Sequence, residues 1–207
     1  MGRREEKKKQ TLLNIREAAW GLFILNGYDR STIDDIASEA GIARGTYYLY
    51  FPDKLSCFRA LLEDLYQPII DILKATLEDL ILDHNDPLSH QIRYIRTAVD
   101  LARFLESQQH RLPLHYREIW SAGEHGVSIR KWRQQIEGLS QDLIEASIAY
   151  KLISDVPPKL TALAVVGSAE RLVWAWLNDE LPNSRRQIAQ NLAVLFWKGI
   201  VPQDHIL

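Results

Sequence analysis

At 207 residues the chain has room for one large domain or two smaller ones. Its composition, 46% apolar and 25% charged, is that of a globular fold; its single cysteine excludes an intrachain disulfide framework. A formal net charge of −2 excludes nucleic-acid binding by bulk basicity and leaves only binding by placement of charge.

The N-terminal run MGRREEKKK sets Arg3, Arg4, Lys7, Lys8 and Lys9 against Glu5 and Glu6. It reads as a solvated tail in the free protein and as a basic arm able to follow phosphates or enter a minor groove. Residues 10–26 form an amphipathic helix with Leu12, Ile15, Ala19, Leu22 and Phe23 on one stripe, and Asn26-Gly27 ends it. Tyr28-Asp29-Arg30 leads to Ser31, whose hydroxyl is placed to cap the next helix. Ile33, Ile36, Ala37 and Ala40 then recur at i, i+3, i+4 and i+7, one face of a nine-residue helix. Gly41 suits the turn that follows.

The next stretch, ARGTYYLY, has almost nothing to bury. Two short helices joined by a tight turn fit a helix-turn-helix whose second helix lies in the DNA major groove. Ala37 supplies the small residue at the crossing, Gly41 the turn four residues on, and Ile42 the apolar lock. An ordinary helical hairpin is the plainer reading of Ala and Gly at this spacing. Charge favours DNA only slightly. Residues 1–54 hold nine Lys/Arg against eight Asp/Glu, and the remainder sixteen against nineteen. Asp34, Asp35 and Glu39 are expected to face away from phosphates.

The run from about Gln10 to Leu65 resembles the DNA-binding domain of the TetR family of transcriptional regulators. That family's pattern is a helix ending LF...G, then TT..DIA..AG, then GT.Y.YF..K. It stands here as Leu22-Phe23, Gly27, Ser31-Thr32, Asp35-Ile36-Ala37, Ala40-Gly41, Gly45-Thr46, Tyr48, Tyr50-Phe51 and Lys54, over about a quarter of the chain. The resemblance implies that Thr32 hydrogen-bonds a phosphate at a helix N-terminus. It implies that Tyr48, Tyr50 and Lys54 contact phosphates, which position the protein without reading sequence. Arg44, Thr46 and Tyr47 lie where base edges are read, with Arg44 a candidate for a bidentate guanine contact. Gly45 lets the backbone approach DNA. Two positions depart from the family pattern. Ala43 replaces a serine that caps the recognition helix, and Tyr47 stands where a leucine is common; its phenol either contacts DNA or packs.

From Pro52 onward the pattern is helical throughout. Asp53 caps a long helix to about Asp83, bent or loosened near Pro68. Cys57 falls in it among Leu55, Phe58, Leu61 and Leu62, as a buried structural thiol. Further helices run from Asp86-Pro87 to about Ser107, Pro113 to Ala122, Gly126 to Leu152, Pro157-Pro158 to Asn178, and Ser184 to Lys198. About nine helices with no strand predict an all-α fold. Residues 1–52 would be a three-helix DNA-binding domain with its basic arm, and residues 53–207 a helical ligand-binding and dimerisation domain.

Leu160, Ala164, Val165, Ser168, Leu172 and Ala175 form one face of small and apolar residues, and Ile188, Leu192, Leu195 and Phe196 another. Two such helices from each of two subunits make a four-helix interface, the dimer contact that the resemblance implies; alternatively they fill the monomer's own core. A two-fold dimer predicts a palindromic operator with half-sites about one DNA turn, ~34 Å, apart. Candidate effector contacts are the aromatics Tyr94, Phe104, Tyr116, Trp120, Trp132 and Trp174 with Arg93, His115, Glu118 and Glu170 as polar handles, which suits a small apolar or aromatic ligand. Each alone reads equally as core or surface.

No nucleophile motif, Gly-rich phosphate loop or HExxH occurs, and His110 and His115 straddle Pro113 at a spacing unsuited to a helical metal pair. Neither catalysis, a cofactor nor a metal is expected. No apolar run is long enough to span a bilayer and the charged N-terminus is unlike a signal peptide, so a cytoplasmic location is expected. The expected function is a ligand-responsive repressor bound to double-stranded DNA. The alternative is a helical protein–protein interaction module that has lost DNA binding.

Overall fold

The computed structural model describes residues 2–83, 87–181, 187, 188, 190–192 and 194. Among these residues there is no strand, and the helices are α1 Arg3–Asn26, α2 Ile33–Glu39, α3 Arg44–Tyr47, α4 Lys54–Leu82, α5 Pro87–Ser107, α6 Leu112–Glu118, α7 Glu124–Ala149 and α8 Pro158–Leu177, with residues 187, 188, 190–192 and 194 helical as well. The final helix expected from Ser184 to Lys198 lies mostly outside the described residues, as do Leu195 and Phe196 of its apolar face.

Helix α1 begins at Arg3, so the basic arm expected as a tail continues the helix instead, with every side chain from Arg3 to Lys9 exposed. Lysine, arginine and glutamate are good helix formers, and Glu5 and Glu6 in the first turn complement the helix dipole. Helix α4 is capped by Asp53, whose Oδ1 accepts the Ser56 N–H at 2.6 Å. It continues through Pro68 as one helix of 29 residues.

Packing groups the chain differently from the division expected at residues 52 and 53. One compact unit comprises residues 1–66 and 110–131, and the other residues 67–109 and 132–207. In the first unit Ile15, Phe23, Ile36, Phe58, Leu61 and Leu62 are fully buried, and Cys57 lies among them. The Phe23 and Phe58 rings meet edge-on at 5.6 Å. Helix α6 and the start of α7 belong to this core through Leu114 and Ile129.

In the second unit the Thr76 and Thr97 hydroxyls share a 2.8 Å hydrogen bond. Arg133 on α7 donates to both carboxylate oxygens of Glu170 on α8, at 2.9 and 3.1 Å. Tyr94 packs with Ile144, Ile148 and Val156 around buried Ile153. Helix α8 is long and apolar enough, by length and composition, to cross a membrane, which corrects the expectation that no run is. Little of it is buried: Leu160 is 65% exposed, Leu163 41% and Trp174 40%.

His90 on α5 is buried, and that burial, followed by the nearby charge of Arg93, pulls its imidazole down to about 4 from 6.5. The folded chain therefore holds a neutral ring under conditions where the unfolded chain binds a proton. Stability should fall as pH drops from 6.5 towards about 4, and His90→Gln should flatten that part of a urea-denaturation profile.

Candidate DNA-binding surface

The α2–α3 turn is built by backbone hydrogen bonds. Gly41 adopts φ +67°, the left-handed conformation that costs glycine least. Its N–H donates to the Ser38 carbonyl at 3.1 Å, and the Ile42 N–H donates to the Ala37 carbonyl at 3.0 Å. Together these bonds close α2 in a Schellman motif. The other end of α2 carries a capping box. The Thr32 hydroxyl accepts the Asp35 N–H at 3.1 Å, and the Asp35 carboxylate accepts the Thr32 N–H at 2.9 Å. The hydrogen bonds from Thr32 hold the Asp35 carboxyl below its ordinary value.

Thr32, rather than Ser31, is thus the cap. Ser31 is buried, and its hydroxyl donates to the Gly27 carbonyl at 2.8 Å. The Thr32 hydroxyl, expected at a phosphate, also donates to Asp35 Oδ2 at 2.7 Å.

Helix α3 is only four residues long and has no side-chain cap at Ala43, as the missing serine implies. Turns carry the chain on, with the Tyr50 N–H donating to the Tyr47 carbonyl at 2.9 Å. Tyr47 departs from its expected DNA role. Its ring is fully buried, and its phenol donates to the Asp53 carbonyl at 3.2 Å. Burial raises its hydroxyl well above the ordinary range. The hydroxyl is therefore a structural tie between α3 and the start of α4.

Arg44 and Tyr48 are exposed, and Thr46 and Tyr50 partly so. A Cβ added to Gly45 would meet nothing within 4 Å, so the protein itself leaves this backbone open. Leu49, which the sequence pattern did not single out, is 79% exposed beside Tyr48 and adds an apolar tip. Asp34 also belongs to this surface: Arg44 Nη1 donates to its carboxylate.

Lys54 was expected at a phosphate, but its ammonium donates to the Tyr28 and Ser31 carbonyls at 2.7 and 2.8 Å. It also lies 4.2 Å from the centre of the Tyr28 ring. Desolvation at this partly buried position lowers its pKa. The other face of the Tyr28 neighbourhood is held by α6 and α7. His125 stacks on Tyr28 with ring centres 4.3 Å apart, and its Nε2 lies 3.2 Å from Glu118 Oε2. Glu118 Oε1 accepts the Tyr28 N–H at 3.2 Å. Arg117 donates to the Phe23 and Ile24 carbonyls at the end of α1. Gly126 permits this arrangement, since a Cβ there would stand 2.2 Å from the Ser121 carbonyl oxygen.

The ten expected effector contacts are divided between the two units. His115, Tyr116, Glu118 and Trp120 belong to the first unit, and Arg93, Tyr94, Phe104, Trp132, Glu170 and Trp174 to the second. His115 and Glu118 are buried polar groups with protein partners, His115 Nδ1 meeting the Tyr66 hydroxyl. They are structural, because the first unit uses their hydrogen bonds to join its own elements. Trp120 is 77% exposed. In the second unit Arg93 donates to the Asp83 carbonyl at 2.9 Å, while its buried Nη1 has no hydrogen-bond partner among the described residues.

Residues 15–61 match the family described as bacterial regulatory proteins, tetR family. This segment is a DNA-binding domain of the TetR family of transcriptional regulators. The chain is similar to the transcriptional regulator TtgR of Pseudomonas putida, with 27% identity over 182 residues and 84% of each chain covered. Its fold is similar to that of Bacillus subtilis FadR in complex with stearoyl-CoA, at TM-score 0.71 and 18% identity, covering 90% of this chain and 98% of that one. It is also similar to SmeT, the repressor of the Stenotrophomonas maltophilia multidrug efflux pump SmeDEF. With the SmeT–triclosan complex the TM-score is 0.76 at 17% identity, covering 95% of this chain and 94% of that one. The chain is a DNA-binding, helix-turn-helix transcription regulator.

Glu118 is the test of how the reading head is held. Glu118→Ala removes the acceptor for the Tyr28 N–H and should cost about 1–3 kcal/mol in urea denaturation, with Glu118→Gln closer to wild type because the amide oxygen still accepts.

Proposed function

We propose that the protein is a homodimeric repressor that leaves a palindromic operator when a small apolar or aromatic effector binds, and that it works in the cytoplasm. The observation that carries this reading is α3. A four-residue helix presents Arg44, Thr46 and Tyr48 outward over an open Gly45 backbone while Tyr47 fastens it to the fold. Such a surface matches the polar edges of a major groove. Arg44, Gly45 and Thr46 meet base edges, and Tyr48 and Tyr50 meet phosphates. Thr32 contributes through the start of α2. Lys54 contributes by fixing the loop between α1 and α2, and by reaching a phosphate only if it leaves its two carbonyls. Residues 1–52 supply this reading head, and 53–207 supply effector and partner contacts.

The effector is assigned to the second unit, with Tyr94, Phe104 and Trp132 as apolar wall and Arg93 as the polar handle. Support comes from the buried Nη1 of Arg93, which has no partner among the described residues, and from stearoyl-CoA and triclosan as ligands of two fold neighbours. Binding must differ in affinity between the DNA-bound and released states for the effector to act at all.

The dimer is assigned to α8 with the segment that follows it. Leu160, Leu163, Ala164, Gly167 and Trp174 share one helical stripe, and exposed apolar area of this kind favours a partner helix. This stripe shares Leu160 and Ala164 with the expected face; Ala175 of that face is buried within the chain.

Selection from a random duplex library with the purified full chain should enrich a palindrome whose affinity falls steeply with salt. A folded protein that enriches nothing would favour the interaction-module reading instead. In sedimentation, Leu163→Glu should convert a dimer to monomers and cost operator affinity more than affinity for a single half-site. An unchanged dimer would move the interface away from α8.

A further inference from the structure

The guanidinium best placed to read a base is already engaged. Arg44 Nη1 donates to Asp34 Oδ2 at 2.5 Å, and Nη2 donates to the Tyr48 hydroxyl at 3.3 Å. The guanidinium carbon lies 5.9 Å from the centre of the Tyr48 ring. Asp34 sits in the first turn of α2, whose two ends are fixed by the capping box and the Gly41 turn. The backbone that carries its carboxylate is therefore fixed, and its side chain is short, whereas Arg44 is a long side chain on a short helix. Both side chains are open to solvent, 58% exposed for Arg44 and 61% for Asp34. The pair contributes little to folding for that reason.

Geometry gives the pair another use. A free arginine on a DNA-facing helix binds any phosphate it can reach, which adds affinity without sequence information. An arginine tied at one nitrogen to a carboxylate and at another to a phenol keeps a restricted set of directions. A guanine edge offers two in-plane acceptors to a guanidinium held in one orientation. A phosphate reached from outside that orientation must first break the Asp34 bond, in the presence of a negative charge that repels it.

We propose that Asp34 is a specificity-determining positioning residue: it aims Arg44 at a base edge and withholds it from the phosphate backbone. The proposal rests on the reading of α3 as the DNA-reading helix. It assigns to an acidic residue on the supporting helix a role in discrimination, although that residue contacts no base itself.

The test uses the full-length protein, the fragment it selects from a random duplex library, and a random-sequence duplex of equal length. Asp34→Asn should raise affinity for the random duplex by about 3–10-fold, change affinity for the selected fragment by less than about 2-fold, and so lower the specificity ratio. The salt slope of random-duplex binding should steepen by about one phosphate contact as Arg44 becomes free to bind there. Glu39→Gln removes an exposed charge at the other end of the same helix and should leave the ratio unchanged. In an Arg44→Ala background, Asp34→Asn should no longer alter the ratio. An equal rise on both duplexes, or the same effect from Glu39→Gln, overturns the proposal while leaving the DNA-binding reading intact. A wild-type protein that selects no fragment overturns both.

Discussion

A helix of four residues has no stability of its own, because nucleating a turn costs more than one turn of hydrogen bonds returns. The surface of α3 therefore depends on the anchoring of Tyr47. Its ring fills the space beneath α3, and its hydroxyl ties the helix to the carbonyl of Asp53 at the start of α4. The side chains on either side of it in sequence, Thr46 and Tyr48, then have fixed outward directions. One buried residue converts a marginal helix into a presented one. It also explains why a tyrosine serves where an aliphatic residue would fill the same volume. The hydroxyl adds a directional bond between two elements.

The start of α4 is tied in turn to the loop after α1. Lys54 satisfies two carbonyls of that loop, Tyr28 stacks on His125, and Glu118, beside His125, accepts the Tyr28 N–H. Each contact is modest alone. Sharing Tyr28 makes them cooperative, since displacing α6 disturbs the same loop that Lys54 holds. This packing is also why residues 110–131 group with the N-terminal helices rather than with the remainder of the bundle. A change at α6 or at the start of α7 would reach the reading head through one side chain and one carboxylate.

Helical pattern made most of this legible in the sequence. The spacing of Ile33, Ile36 and Ala37, the glycine at position 41 and the Asp53 cap follow local rules that a single chain displays. Partners distant in sequence were not legible. Nothing near Glu118 in the sequence indicates that its carboxylate accepts from Tyr28, 90 residues away, so it read as an effector handle. The carbonyl partners of Lys54 were illegible for the same reason, since they lie in another loop. Ser31 and Thr32 are both chemically able to cap, and only the backbone path decides between them. The exposed stripe of α8 was displaced from its expected face because apolar residues surround much of that helix, so periodicity alone could not orient it.

The charge balance of the reading head acquires a physical account from these contacts. With nearly equal numbers of acids and bases in residues 1–54, repulsion from phosphates would be expected to offset attraction. Three of the acids are occupied locally: Asp35 by Thr32, Asp53 by the Ser56 N–H and Asp34 by Arg44. Capping carboxylates spend their charge on the positive ends of helices and project little of it outward. Asp34 differs, since it spends its charge on the one arginine of α3. Weak bulk attraction to DNA is then no defect. A protein whose positive groups are few and directed gains less from random phosphates and depends more on the groove it fits.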